Sequence, residues 1–185
     1  DDAQRQATRD AGRLAGLEIV RVINEPTAAA MAYGIGARQK ELERLVIYDL
    51  GGGTFDVTVL EAIPPEEEGG EVVFRVLATA GDTLLGGDDF DQIIVDLVLE
   101  EIHARLGGPK DAELSPAVRQ RLRIFAEQAK ISLSENDSAE IRVDCGEQLG
   151  TIVRRLTREA FEELCRELVD RSIAHCAAAL GEANL

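Results

Sequence analysis

Eight residues, Asp49-Leu50-Gly51-Gly52-Gly53-Thr54-Phe55-Asp56, carry the most legible chemistry in this 185-residue chain. Three consecutive glycines permit a tight turn whose backbone approaches a ligand closely, because no Cβ intervenes. Successive N–H groups in such a turn form a concave anion site. Asp49 and Asp56 flank it, and two carboxylates beside a phosphate need a divalent cation between them. Mg-phosphate is the chemistry this arrangement suggests. A glycine-turned hairpin with two solvated aspartates suits the same residues, and the motif alone does not choose.

The elements around it must hold the turn in place. Residues 44–48 and 57–60 read as strands on either side. Phe55, Val57 and Val59 alternate with Thr54, Asp56 and Thr58 at a period of two. Residues 63–70, rich in Pro, Glu and Gly, read as an exposed loop, and 72–79 as the partner strand. A second glycine-rich turn at 81–89 leads into a helix with Phe90, Ile93, Ile94, Leu97, Val98 and Ile102 as its apolar stripe. Gly107-Gly108-Pro109 stops that helix. Ser115-Pro116 then opens the next, as an N-cap with proline in the first turn.

In that next helix Val118, Leu122, Phe125, Ala126, Ala129 and Leu133 share one side. Glu127, Lys130 and Ser134 are expected on the opposite one. Periodicity alone makes them a solvated polar face. Two short strands at 139–143 and 151–156 flank a turn at 146–150, and Thr157 caps a final helix with Phe161, Leu164, Leu168 and Ile173. Ahead of the glycine turn, 2–15 reads as a helix, 18–23 as a strand, and Pro26 as the start of a small-residue helix ended by Gly34 and Gly36. The fold class is α/β (mixed α+β), with a sheet part and a helical part.

Composition limits the partners. The chain is 45% hydrophobic and 30% charged, as expected of a globular domain. A net charge of −15 disfavours nucleic acid, whose phosphates need Lys and Arg. No apolar run approaches a membrane span. Cys165 and Cys176 lie about 16 Å apart along one expected helix, beyond disulfide reach. With Cys145 as the third cysteine and no CxxC pair, zinc is disfavoured and a reducing cytoplasm is expected. His103 and His175 read as ordinary surface residues. Residue 1 is Asp rather than Met, so the chain reads as a segment of a longer protein. Neither a P-loop nor a GxGxxG after a strand is present, so any phosphate sits on hairpin glycines.

DLGGGTFD (49–56), INEPTAAA (23–30) and GDTLLGGDDFD (81–91) occur together with DAQRQAT (2–8) and AEQAK (126–130). This set closely resembles the nucleotide-binding domain of the seventy-kilodalton heat-shock chaperones of DnaK type, nearly end to end. The resemblance implies an actin-like, ribonuclease-H-like ATPase lobe with an inserted helical subdomain carrying a small hairpin. Residues 1–38 would belong to the first lobe, 39–85 with 161–185 to the sheet subdomain of the second, and 86–160 to its helical subdomain.

By the same resemblance, Asp49, Thr54 and Glu25 would be catalytic. Gly51, Gly52, Gly53, Thr54 and Gly87 would bind phosphates, and Glu127, Lys130 and Ser134 would clasp the adenosine. Asp49, Asp56 and (through water) Glu25 would serve the metal, and Arg5 would relay nucleotide state. ATP or ADP, Mg2+ and K+ would be the cofactors. A nucleotide exchange factor, a J-domain co-chaperone and unfolded peptide would be the partners. Leu84 stands where the family usually has His, and Asp88 where it usually has Glu. The family's first phosphate loop, catalytic lysine and GG-x-x-R segment have no counterpart here, so this segment alone is expected to be inactive. An alternative reading makes it a non-enzymatic docking lobe for the exchange factor.

Overall fold

The computed structural model describes residues 2–34, 41–65, 70–106, 116–144 and 150–185. Along the chain run α1 (Asp2–Leu14), α2 (Glu25–Ala32), β1 (Glu43–Leu50), β2 (Phe55–Ile63) and β3 (Val73–Asp82). Then follow α3 (Gly87–Leu106), α4 (Pro116–Glu135), β4 (Ser138–Asp144), β5 (Thr151–Thr157) and α5 (Arg158–Glu182). The expectations for Gly36, Gly107-Gly108-Pro109, Ser115, Cys145 and the 146–149 part of the second hairpin turn lie outside the described residues.

β1, β2 and β3 form an antiparallel sheet in that order, and β4 and β5 a separate hairpin. Alternation in β2 has the expected result on one face. Phe55, Val57 and Val59 are fully buried and meet Leu85 and Ala179 in one apolar cluster beneath α5. Burial of each such large side chain contributes about 1.5–3 kcal/mol. A register shift between Val59 and Leu60 leaves Leu77 of β3 unpaired, and Glu61, which follows Phe55, Val57 and Val59 at the same period of two, is buried too. Arg44 and Arg75, its partners on the flanking strands, both ion-pair with it. The Arg75 guanidinium, ahead of Arg44, holds the Glu61 carboxyl below the usual range.

A second cluster joins α3, α4 and the β4–β5 hairpin. Ile94, Val98 and Ile102 pack with Leu122, Ala126, Ala129 and Leu133 over Ile141, Val143, Ile152 and Leu156. Both helical stripes follow the 3.6-residue period.

Two local expectations need correction. Residues 18–23 form no strand, and Val20 is 93% exposed. Apolar β-branched residues become a strand only by pairing, and no ladder partner reaches them among the described residues. In α5, Phe161 and Leu168 pack on the core as expected, but Leu164 and Ile173 are exposed, while Cys165, Ser172 and Ala179 are buried. The small Ser172 and Ala179 let the helix lie close on the sheet, and Leu168, Cys176 and Leu180 pack against the same cluster. Tyr48 Oη donates to Ser172 Oγ at 2.8 Å, and Ser172 Oγ to the Val169 carbonyl at 2.7 Å. The α5 N-cap is as expected, with Thr157 Oγ1 accepting from the Ala160 N–H.

Candidate functional site

The two glycine turns lie against each other. The Gly87 N–H donates to the Gly51 carbonyl and the Asp88 N–H to the Gly52 carbonyl, each at 2.8 Å. These donors belong to the first turn of α3, whose N–H groups have no partner within the helix. A Cβ added at Gly86 would stand 2.3 Å from the Gly52 carbonyl oxygen, so only glycine allows the contact. Across the first turn, the Gly51 N–H donates to the Thr54 carbonyl at 2.8 Å.

Peptide planarity converts this contact into a directed site. In a trans peptide the C=O of one residue and the N–H of the next point in opposite directions. With the Gly51 and Gly52 carbonyls aimed at α3, the N–H groups of Gly52 and Gly53 must point away from it. Both glycines are exposed, and among the described residues the N–H groups of Gly52, Gly53 and Thr54 have no hydrogen-bond partner. Such a pair of parallel, unspent donors suits an anion.

Asp49 and Asp56 are directly opposite in the β1–β2 register, so both side chains stand on one face at the base of the turn. Like charges opposite one another destabilise a sheet unless something lies between them. Asp56 extends over Gly81, its other cross-strand neighbour, with Oδ1 2.8 Å from where a Cβ at Gly81 would lie. Among the described residues no group of three or more Asp, Glu, His or Cys is arranged for a metal ion. Two carboxylates beside anion-binding amides fit magnesium, which is held by one or two carboxylates together with substrate phosphates.

Other expected site residues are placed less uniformly. Gly87 abuts the first turn, but its N–H is spent on Gly51 and its carbonyl accepts from Lys130 Nζ at 3.1 Å. It therefore offers a ligand closeness of approach and no hydrogen bond. Lys130 is half-buried, not on the solvated face of α4, and pairs with Asp91 at 2.8 Å. Glu127 lines a cavity of about 280 Å³ with Asp88, Asp91 and Arg123. Lys130 and Ser134 line another, of about 350 Å³, with Arg158 and Phe161. Glu25 is exposed in the first turn of α2, which packs on β1. Arg5 reaches the Val22 carbonyl and Asn24 Oδ1, at 3.3 and 3.2 Å, drawing the Asn24 side chain away from capping α2.

The model of the family described as Hsp70 protein matches residues 1–185. The chain belongs to the Hsp70 family. It is 45% identical over 189 aligned residues to the chaperone protein DnaK of Stenotrophomonas maltophilia (strain R551-3), an alignment covering all of this chain and 29% of that protein. The chain thus spans less than a third of the length of that relative.

As an Hsp70-family chain it has the actin-like fold, seen here as the three-stranded sheet under α5 with α3, α4 and the β4–β5 hairpin beyond it. No helix among the described residues is long and apolar enough to cross a membrane. Sequence reasoning missed the polar cluster that ties the second turn to α5. Arg171 Nη2 donates to Asp82 Oδ2 at 2.5 Å and to the Leu84 carbonyl at 3.1 Å. Asp82 Oδ1 accepts the Leu84 N–H at 2.8 Å, and His175 Nε2 lies 3.7 Å from Asp82 Oδ2. The Arg171 guanidinium, then the Leu84 N–H, hold the Asp82 carboxyl below the usual range. The sequence carries only the i, i+4 spacing of Arg171 and His175 on one face of α5, which does not point to Asp82 as their partner. Burial pushes the Cys165 thiol up to about 11, which disfavours its thiolate near neutral pH.

Proposed function

We propose that this chain is the nucleotide-handling lobe of an ATP-hydrolysing chaperone. The observation that carries the reading is the pair of glycine turns, whose mutual hydrogen bonds aim the Gly52 and Gly53 amides outward beside Asp49 and Asp56. Gly51, Gly52, Gly53 and Thr54 hold the phosphates of ATP or ADP, with Gly87 in close approach. Asp49 and Asp56 would hold magnesium, with Glu25 contributing through water. When bound, the metal neutralises charge on the phosphate oxygens. Asp49 and Thr54 orient a water for in-line attack on the γ-phosphate, with positioning and electrostatics supplying the rate. Asp56 would also support a potassium ion, which would add positive charge beside the phosphates.

Glu127, Lys130 and Ser134 take the adenosine. Lys130 can do so once its ion pair with Asp91 is exchanged for contact with the ribose. Arg5, through its hold on Val22 and Asn24, passes nucleotide state to a peptide-binding part of the whole protein. An exchange factor, a J-domain co-chaperone and unfolded peptide are its partners.

Calorimetry of the full-length protein with ADP and magnesium tests the reading. Binding that weakens on Thr54→Val or Lys130→Met supports it, and no affinity for adenine nucleotides refutes it. The 185-residue chain alone is expected to hydrolyse ATP far below the full-length rate. Absence of one charge-stabilising group costs about 3 kcal/mol, roughly two orders of magnitude. Phosphate release by the segment at the full-length rate would refute that expectation.

A further inference from the structure

We propose that Arg171 and Asp82 are positioning residues for phosphate binding, acting on the first glycine turn through the second. The inference rests on the nucleotide reading above and identifies what holds its amides in direction. Leu84 is the pivot. Its side chain is 77% exposed and anchors nothing. Its backbone is held at both polar atoms, the N–H by Asp82 and the C=O by Arg171. Asp89 and Glu167 add to the negative field around Arg171, and His175 faces the same Asp82 carboxylate.

From Leu84 the constraint runs forward through residues with almost no freedom. Leu85 is fully buried against the β2 face. Gly86 is buried, with its N–H on Asp89 Oδ2 at 2.8 Å. Gly87 and Asp88 then donate to the carbonyls of Gly51 and Gly52. Because each of those carbonyls shares a planar peptide with the next N–H, any carbonyl that turns to follow a tilt of the second turn carries the Gly52 or Gly53 donor with it. Hydrogen bonds weaken steeply with misalignment, so a small tilt lowers affinity for the phosphate tail. Adenosine, which has no phosphate, makes no use of those donors.

The test compares ADP–Mg and adenosine on the full-length protein, by calorimetry and NMR titration, with melting temperature recorded for every variant. Arg171→Met removes the guanidinium but keeps the stem's bulk. Asp82→Asn keeps an acceptor for the Leu84 N–H and removes the ion pair. Both variants are expected to bind ADP about ten-fold more weakly and to leave adenosine affinity unchanged. Arg171→Lys, which keeps the charge but not the two-pronged donor set, is expected to recover part of the loss. Equal weakening of both ligands, or unchanged ADP affinity, overturns the proposal. If Arg171→Met does not fold, Asp82→Asn and Arg171→Lys decide by the same criterion. A wild-type protein that binds neither ligand defeats the nucleotide reading itself, and this inference falls with it.

Discussion

The turn at 51–54 and the turn at 81–89 touch along two hydrogen bonds, yet glycine serves different ends in each. At Gly53 a side chain would meet nothing within 4 Å, whereas at Gly86 it would strike the backbone of Gly52 and Gly53. Among the described residues, the first turn leaves the amides of Gly52, Gly53 and Thr54 unspent. In the second, Leu84 is held at both polar atoms and Leu85 is sealed in the core. One turn presents donors, and the other fixes their direction. The same residue type thus meets opposite demands, access in one place and close approach in the other.

Substitutions sharpen that contrast. Leu85→Ala, which unplugs the second turn from the core, should cost about 2–5 kcal/mol in urea unfolding. Gly86→Ala should cost about 1–3 kcal/mol and weaken nucleotide binding as well, since the clash is with backbone that cannot swing aside. An unchanged melting temperature for Gly86→Ala would mean that the two turns do not press on each other.

Acid should loosen the second turn. Arg171 holds the folded Asp82 pKa below its unfolded value. The pair therefore stabilises the fold at any pH above the unfolded aspartate value, near 3.9, and that contribution is lost as pH falls through the lower folded value. Glu61 follows the same direction. Melting curves of wild type and Asp82→Asn between about pH 6 and 2 should start apart and converge at the acid end. A constant gap would show that the charge of Asp82 is not what matters. The smallest expected effect is at Gly53→Ala, where stability should change by less than about 0.5 kcal/mol while nucleotide affinity falls. A large loss of stability there would erase the distinction between the turns.

Much of this arrangement is readable from residues near one another in the chain. The β1–β2–β3 meander follows from alternation about Phe55, Val57 and Val59, and the start of α5 from Thr157. The open first turn follows from three adjacent glycines. What escaped depends on distance in sequence. Residues 18–23 have the composition of a strand but no neighbour to pair with. Lys130 looks solvent-facing on a helical wheel, yet Asp91, nearly forty residues earlier, draws it inward. The buried line of α5 is hard to recognise because it consists of Cys165, Ser172 and Ala179, which carry no hydrophobic signature as a set. Arg171 and Asp82 are 89 residues apart, and no local pattern joins them.

That inconspicuous line on α5 also sets a mechanical condition. A helix seated through cysteine, serine and alanine has almost no clearance, so one added methyl group at position 172 or 179 would act as a wedge beneath a lever. Arg171 is carried on the lever beside the wedge, and its hold on Leu84 leads through the second turn to the amides of the first. Sub-ångström crowding in the middle of a remote helix would then register as a change in how firmly a phosphate is gripped.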